Sequence, residues 1–543
     1  MTGGVPKGVT VFDVLIAGGD VHDGTGAEPV RADVGVAGDR VAAVGPGLPR
    51  EAGTVIDAAG KAVCPGFINI LSHSNLSILH DPRSLGELTQ GVTTEVFGEG
   101  TSMGPLTPGL KAELERALEA AGLDAEVTWT RLSEYLRHVE RRGAAQNVAS
   151  FIGTGTLRAG VVGYADRPAT AAELDRMRGL AAEEMADGAV GIAPALIYPP
   201  DSFASAAELT ALARVVARYD GCYASHVRGE AAELHAAVGE FLDVVRAAGV
   251  RGEMFHLKAS GQPNWHLMDG AISLLEDARA AGLPVTADVY PYTASSTGLT
   301  TVIPERFHEG GPDALYDRLG DPAARAEIRA ELEASGRFGD TTSAESVLIL
   351  GVSAEGNRRW QGQTLAEIAA AREVDPIDAA MDLMASDRTR VATAFFSMSE
   401  DNLRAALVRP WVGICSDGAS MAPEGAFARA PTHPRAYGSF ARVLGHYARE
   451  EKVLTLAEAI RKMSGLPAST LGLSGRGVLR ERAYADIVVF DPATVADRAT
   501  FSDPHQLSAG VSEVLVNGKV ALADGAFTGE LAGRALAGPG ARP

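Results

Sequence analysis

Short apolar segments alternate with amphipathic segments through the middle of the chain, and this alternation limits the folds open to it. Eight apolar segments occupy residues 65–73, 93–100, 147–155, 188–196, 222–227, 251–259, 284–292 and 411–417. Between most of them apolar residues recur at i, i+3 and i+4, as in 205–219 and 230–249, which predicts helices with one buried face. Strands that alternate with helices form parallel sheets. Eight such strands predict an α/β protein with a closed (β/α)8 TIM barrel.

The two chain ends have a different pattern. Residues 13–24 and 32–45 alternate Val, Ile and Ala with Gly-Asp turns, and residues 485–492 and 511–525 are similarly rich in strand and turn residues. Such segments predict β-hairpins. Because a lone hairpin is only marginally stable in water, we expect both ends to pair in one small β-sandwich.

These patterns divide the chain into domains. We expect residues 1–63 and 471–543 to form the β-sandwich and residues 64–470 to form the barrel. The segment that separates the seventh and eighth apolar segments, 293–410, is too long for a bare loop and contains helical patterns. It predicts an inserted cap near the barrel mouth.

Ionisable residues cluster at one end of the predicted strands. A barrel places its active site at the C-terminal ends of its strands. Polar groups lie at or just past that end in every apolar segment except the third, and they include His73, Glu99, Tyr198, His226, Arg228, His256, Lys258, Asp288, Tyr290, Tyr292 and Asp417. This convergence predicts a functional site at the barrel mouth.

Two histidines and a carboxylate that converge on one mouth suit zinc. Catalytic zinc takes about three protein ligands and keeps one position open for water. His226 and His256, supplied by adjacent strands, form the best pair of ligands, and Glu99 is the candidate third ligand. His73 is a possible additional ligand. Each of these residues also has a purely structural interpretation, as a buried hydrogen-bonding group or a turn carboxylate.

The remaining polar residues suggest proton transfer and anion binding. Asp417 is placed to take a proton from water and pass it to a leaving amine, although an Asp-Gly sequence also occurs in ordinary turns. Lys258, Arg228 and Arg435 are candidates to hold an anionic group of a substrate. Tyr198, which precedes two prolines, is either a site residue or a packing residue.

Composition excludes several classes of protein. The net charge is −20 and no basic run is present, which argues against a nucleic-acid partner. No apolar run approaches the roughly 18 residues of a membrane span, and the first residues lack the apolar core of a signal peptide. Three cysteines, Cys64, Cys222 and Cys415, rule out a disulfide framework. We therefore expect a cytoplasmic protein without a membrane partner.

Several motifs together resemble the amidohydrolase superfamily, and specifically its N-acyl-D-amino-acid deacylase (D-aminoacylase) family. The resemblance covers nearly the whole chain. The motifs are DVLIAGGDVHDGTG, VIDAAGKAVCPGFIN, GVTTEVFGEG, ALIYPP, SHVRGE, HLKASGQPNW, DVYPYTASST, SDGASMAPEG, HPRAYGSF and ADIVVFDPATV. They are individually weak and jointly specific.

The resemblance implies a fold, a reaction and a set of site residues. It implies a (β/α)8 barrel with a small β-sandwich from both chain ends, and zinc-dependent cleavage of an N-acyl bond on a D-amino acid. The substrate is then a small-molecule amide. By motif, His226 and His256 match zinc ligands, Asp417 matches the catalytic aspartate, and Lys258 matches the lysine that follows the second histidine. Contacts to the substrate carboxylate are implied for Tyr198, Tyr292 and Arg435.

The chain departs from the family pattern at two places. The first strand of the family usually reads GFIDxHxH, whereas here Asn69 replaces the aspartate and Leu71 replaces the first histidine, so that only His73 remains. The second strand of the family usually ends GNCG, whereas here it ends GEG, with Glu99 nearest to the position of the cysteine. These departures put a second metal in doubt and predict one zinc per chain.

Three alternatives remain open from the sequence. Residues 100–104 match the G-x-S-x-G pattern of serine hydrolases, but Pro105 and Pro108 replace the helix that should follow Ser102. A non-catalytic barrel that binds a ligand is the second. The third keeps the metal chemistry and changes the substrate to a cyclic amide, a dipeptide or a secondary-metabolite amide.

Overall fold

A computed structural model of the protein describes residues 12–120, 122–123, 126–335, 343–429 and 431–541. Across these ranges no helix is both long enough and apolar enough to cross a membrane. The chain forms one sheet from its two ends, a central barrel and an inserted segment with a sheet of its own.

The N-terminal part contributes strands to the sheet of the chain ends. These strands are β1 (Phe12–Val21), β2 (Val30–Ala37), β3 (Arg40–Gly45), β4 (Ala52–Asp57) and β5 (Ala62–Pro65). β1 pairs antiparallel with β2 and parallel with β4 and β5. Apolar side chains of this region, such as Val14, Ile16 and Val34, are buried in a cluster of their own.

The next strands form most of the barrel. They are β6 (Phe67–Asn69), β7 (Val92–Phe97), β8 (Asn147–Ser150), β9 (Ile152–Gly153), β10 (Gly191–Ala193), β11 (Cys222–Ser225), β12 (Arg251–Met254) and β13 (Val285–Val289). β8 and β9 act as one barrel strand, because β8 pairs with β7 and β9 pairs with β10. The pairs along this series are parallel, as the alternation of strands and helices predicts.

Helices cover the outside of these strands. They are α1 (Ser77–His80), α2 (Leu85–Leu88), α3 (Pro108–Ala120), α4 (Leu132–Arg142), α5 (Thr154–Val161), α6 (Ala171–Ala186), α7 (Ala206–Ala217), α8 (Leu234–Ala248) and α9 (Met268–Ala280). Side-chain caps set several starts, since Thr170 accepts from the backbone N–H of Glu173 and Ser205 accepts from that of Glu208. The apolar faces of α7 and α8 are buried, as their spacing predicts.

The inserted segment folds around its own apolar core. Its elements are β14 (Ser295–Gly298), α10 (Pro312–Gly320), α11 (Pro322–Ala334), β15 (Val347–Gly351), α12 (Leu365–Arg372), α13 (Pro376–Asp387) and β16 (Ala392–Phe395). The strands form an antiparallel sheet with β16 in the centre. Leu299, Leu319 and Ile368 belong to a buried cluster that is separate from the barrel core. We refer to this segment as the cap.

The barrel closes after the cap. α14 (Glu400–Leu407) leads into β17 (Val412–Ile414), which pairs parallel with β13. A parallel bridge between Ser72 and Gly418 then joins the end of the β17 region to the segment after β6. The eight strands predicted from the sequence are therefore the eight strands of the barrel. The helices that follow are α15 (Arg435–Arg442), a π-helix over Val443–Glu450, α16 (Leu456–Met463) and α17 (Gly465–Leu471).

The C-terminal strands complete the first sheet. They are β18 (Ile487–Phe490), β19 (Val511–Val516), β20 (Lys519–Ala523) and β21 (Ala526–Phe527). β18 pairs antiparallel with β5, so the two ends share one nine-stranded sheet, which is the predicted β-sandwich domain. Buried polar contacts join this domain to the barrel, because Asn517, in the turn between β19 and β20, donates from Nδ2 to Oδ1 of Asn147 in β8 at 2.7 Å.

Candidate active site

The predicted cluster of polar residues forms at one end of the barrel. Glu99 follows β7, His226 follows β11 and His256 follows β12, while Asp417 follows β17. His73 lies four residues beyond β6. Because parallel strands bring their C-terminal ends to one mouth, residues far apart in sequence meet there.

Glu99 is the centre of the cluster. Its Oε1 lies 2.9 Å from Nδ1 of His226 and 3.3 Å from Nε2 of His256. Its Oε2 lies 3.2 Å from Nε2 of His73. The Glu99 side chain is only 6% exposed, whereas the His73 side chain is 40% exposed and faces the open mouth. One carboxylate thus joins three histidines.

The backbone is strained at two of the site residues. His256 has a φ of +37° and Asp417 a φ of +48°, in the left-handed region that residues other than glycine rarely adopt. Hydrogen bonds hold both, since the N–H of His256 donates to Oδ1 of Asp288 at 2.7 Å and that of Asp417 donates to the carbonyl of Leu71 at 3.0 Å. Such strain persists where the surrounding structure enforces it.

The donor set fits a zinc ion. Potential ligand atoms of Glu99, His226 and His256 all lie within 4.8 Å of one another, and those of His73, Glu99 and Asp417 form an overlapping second group. Two imidazole nitrogens and a carboxylate oxygen are zinc ligands, and catalytic sites use three of them. Nε2 of His226 is buried without a hydrogen-bond partner, and its Nδ1 is the atom that faces Glu99.

Electrostatics keep the two carboxylates of the cluster ionised. Burial opposes ionisation of Glu99, but hydrogen bonds from His226 and His256 hold the pKa of its carboxyl well below the usual range. Burial also opposes ionisation of Asp417, but Arg435 and His73 lower its pKa to about 2. Asp417 Oδ1 lies 3.0 Å from His73 Nε2, and Oδ2 accepts from Arg435 Nη1 at 2.7 Å.

Glu230 is a site residue that sequence reasoning missed. Its Oε1 lies 2.6 Å from Nζ of Lys258, 3.2 Å from Nδ1 of His256 and 3.6 Å from Nε2 of His226. It therefore contacts the sides of the two histidines that face away from Glu99. The available signal was its place in the SHVRGE motif, four residues after His226.

Aromatic rings line the cluster. The ring of Tyr198 lies 5.6 Å from that of His226, and its hydroxyl lies 2.6 Å from Oγ1 of Thr297. Tyr290, a strand-end residue to which the sequence analysis assigned no role, lies 6.4 Å from the His256 ring and stacks at 4.9 Å under the guanidinium of Arg435. Its position just past β13 was the signal for it.

The structure does not bring two of the predicted substrate-binding residues to this cluster. Arg228 donates from Nε and Nη2 to the carboxylate of Glu240 at 2.9 and 3.0 Å, and from both Nη atoms to backbone carbonyls. Tyr292 packs its ring 5.1 Å from the guanidinium of Arg442 and 5.3 Å from the ring of His433. The chain turns between Tyr290 and Tyr292, where the N–H of Tyr292 donates to the carbonyl of Tyr290 at 2.9 Å. The two side chains, which a continued strand would place on one face, therefore have different surroundings.

Ser102 has no contact that would activate it as a nucleophile. Its hydroxyl donates to the carbonyl of Gly104 at 2.6 Å and accepts from the N–H of Gly153 at 3.0 Å. None of its described contacts is with a histidine. The loop from 101 to 107 also lacks the helix that a nucleophile elbow requires. The structure therefore argues against the serine-hydrolase alternative.

Comparison with known proteins identifies the family of the chain. The sequence model of the amidohydrolase family matches residues 54–522. The chain is 35% identical over 527 residues to D-aminoacylase of Alcaligenes xylosoxydans xylosoxydans, covering 97% of this chain and 98% of that one. It is 36% identical over 509 residues to N-acyl-D-glutamate deacylase of the same organism, covering 93% of each chain. The crystal structure of N-acyl-D-glutamate deacylase from Bordetella bronchiseptica, complexed with zinc and a phosphonate inhibitor, matches with a TM-score of 0.80 and 33% identity, over 97% of this chain and 99% of that one.

Proposed function

The chain belongs to the amidohydrolase family, and from that premise we propose that it is a zinc-dependent hydrolase of the amide bond of N-acyl-D-amino acids. The observation that carries the proposal is the meeting of Glu99, His226 and His256 with Asp417 at the barrel mouth. The relatives named above are D-amino-acid deacylases, and the chain matches them over nearly their whole length.

We propose that Glu99, His226 and His256 hold one zinc ion. Oε1 of Glu99, Nδ1 of His226 and Nε2 of His256 are the atoms that face one another. Zinc bound there supplies Lewis-acid polarisation of the amide carbonyl and makes a water molecule more acidic. His73, the predicted additional ligand, lies between Glu99 and Asp417 and forms the second candidate ligand group with them.

Asp417 is the proposed proton carrier. Its carboxylate is ionised, so it is able to accept a proton from the attacking water at Oδ1 and release it to the leaving amine. Arg435 holds Oδ2 at 2.7 Å and thereby fixes which oxygen faces the mouth. Asp417 is itself buried, and Oδ1 lies 3.0 Å from Nε2 of the more exposed His73.

Lys258, Arg435 and Tyr198 are the proposed substrate-binding residues. Lys258 and Arg435 carry positive charge beside the cluster, and Tyr198 packs against His226. Arg228 and Tyr292 are left out of this set because their contacts lie elsewhere. Cations beside the amide would bind the carboxylate of a small N-acyl amino acid and thereby orient its amide bond in the site.

The test measures bound metal and turnover together. Purified protein is assayed for zinc by elemental analysis and for hydrolysis of N-acetyl-D- and N-acetyl-L-methionine and of a hydantoin. We expect about one zinc per chain and hydrolysis of the D-amide. Asp417→Asn should lower kcat about 10²- to 10⁴-fold while zinc is retained, whereas Asp401→Asn on the exposed face of α14 should change neither. Full turnover by Asp417→Asn would refute the proposed role of Asp417. Hydrolysis of the hydantoin alone would refute the proposed substrate class.

A further inference from the structure

The cations near the barrel mouth differ in their partners. Lys258 lies 2.6 Å from a carboxylate oxygen of Glu230, Arg435 lies 2.7 Å from one of Asp417, and Arg228 lies 2.9 Å from one of Glu240. Arg390 differs from them: its guanidinium contacts the hydroxyl of Thr297 and the ring of Tyr198, and among the described residues it has no carboxylate within 4.0 Å. Its side chain is a cation whose charge is not neutralised by the protein.

The cap brings Arg390 to the mouth. Arg390 precedes β16, and its Nη2 donates to Oγ1 of Thr297 on β14 at 3.1 Å. Its guanidinium lies 4.9 Å from the ring centroid of Tyr198, whose ring in turn lies 5.6 Å from that of His226. One aromatic ring therefore separates this guanidinium from a proposed zinc ligand.

The neighbouring strand is built to admit the Arg390 side chain. Gly298 of β14 lies beside it, and a Cβ on Gly298 would stand 2.7 Å from Cβ of Arg390 and 2.9 Å from its carbonyl oxygen. The hydroxyl of Thr297 contacts both the Tyr198 hydroxyl, at 2.6 Å, and Arg390. The guanidinium is thus oriented by a hydroxyl and a ring face, which leaves most of its N–H groups free to bind an anion.

We propose that Arg390 binds a carboxylate of the substrate and determines which N-acyl amino acids the enzyme accepts. This inference rests on the proposed function. A guanidinium binds a carboxylate through two parallel hydrogen bonds, which gives both attraction and orientation. In a chain of net charge −20, an uncompensated cation at the mouth also favours the approach of an anionic substrate.

The carboxylate has two sources within this substrate class. One is the α-carboxylate, which every N-acyl amino acid carries. The other is the side-chain carboxylate of an N-acyl-D-glutamate or N-acyl-D-aspartate. Arg390 would bind either carboxylate in the same way. The two cases differ in which substrates would need Arg390 for binding.

The experiment compares kcat and KM for N-acetyl-D-glutamate, N-acetyl-D-aspartate and N-acetyl-D-methionine. The variants are Arg390→Gln and Arg390→Lys. The control is Arg388→Gln, which removes a positive charge two residues from Arg390; the Arg388 side chain pairs with Asp317 at 3.0 Å. We expect Arg390→Gln to raise KM about 10- to 100-fold with little change in kcat, Arg390→Lys to recover part of the loss, and the control to match wild type. A loss for all three substrates assigns the α-carboxylate, and a loss for the two acidic substrates alone assigns the side-chain carboxylate.

Two results would overturn the inference, and they are distinguishable from a failure of the proposed function. If wild type hydrolyses these substrates and Arg390→Gln has unchanged KM for all of them, Arg390 does not bind substrate and the proposed function stands. If both Arg390 variants lose kcat equally and their melting temperatures fall, the role of Arg390 is structural. If wild type hydrolyses none of the substrates, the proposed function fails and this inference fails with it.

Discussion

Replacing Glu230 by glutamine tests whether the zinc ligands depend on a residue behind them. Oε1 of Glu230 lies 3.2 Å from Nδ1 of His256, 3.6 Å from Nε2 of His226 and 2.6 Å from Nζ of Lys258. Nδ1 of His256 also lies 2.7 Å from Nζ of Lys258, so Glu230 both contacts the ring and balances the charge of the lysine that lies against it. Glu230→Gln keeps the shape of the side chain and removes its charge.

The magnitude follows from two losses. Carboxylates that orient ligating histidines are worth about 10- to 100-fold in metal affinity, so the zinc dissociation constant of Glu230→Gln should rise by that factor, or about 1.4 to 2.7 kcal/mol. The variant also leaves the charge of Lys258, a buried side chain, without its carboxylate. Breaking a buried ion pair costs about 3–5 kcal/mol, so the metal-free variant should unfold more easily as well.

The assay separates these effects. Zinc affinity is measured by competition with a chelator, and the free energy of unfolding is measured by urea titration of the metal-free protein. The control is Glu240→Gln, which breaks the pair with Arg228, a partly exposed pair that does not touch the histidines. We expect the control to lose at most about 1 kcal/mol of stability and no zinc affinity. Wild-type zinc affinity in Glu230→Gln would refute the reasoning.

Three further predictions follow from other contacts. Glu99→Ala should lose zinc on dialysis because Glu99 is shared by both ligand groups of the site, whereas His73→Ala should keep about one zinc per chain by elemental analysis. If Glu99→Ala retains zinc, Glu99 is not a ligand. Gly191→Ala should destabilise the barrel by at least about 1–3 kcal/mol in thermal unfolding, because the added Cβ would stand 1.9 Å from the carbonyl oxygen of Cys222. The control Gly179→Ala, in open space on α6, should stabilise the protein by about 0.5–1 kcal/mol. Equal melting temperatures for the two variants would contradict this prediction. Burial raises the pKa of the Asp201 carboxyl to about 7 from 3.8, so its contribution to the free energy of unfolding is complete below pH 4 and is lost as the pH rises through 7. Asp201→Asn should therefore gain stability relative to wild type between pH 4 and pH 8 in urea titrations, and a constant difference across that range would show that the carboxyl does not titrate there.

The sequence by itself determined the architecture and the centre of the site. Local patterns of apolar residues predict each barrel strand and most of the helices between the strands, because the 3.6- and 2-residue periods depend on chain geometry alone. The rule that parallel strands align their C-terminal ends then predicts that Glu99, His226, His256 and Asp417 meet, which they do. The pairing of the chain ends followed from the marginal stability of isolated hairpins.

Only the tertiary structure decided what surrounds that centre. Arg228 and Glu230 are two residues apart, yet one pairs with Glu240 on the helix behind it and the other contacts both histidines. Arg390 reaches the mouth because β16 pairs with β14, a register that no local pattern encodes. Strand ends are ordered by backbone pairing, which sequence patterns reveal, whereas side-chain partners depend on turns, on rotamers and on segments distant in sequence, and these are set only when the whole chain packs.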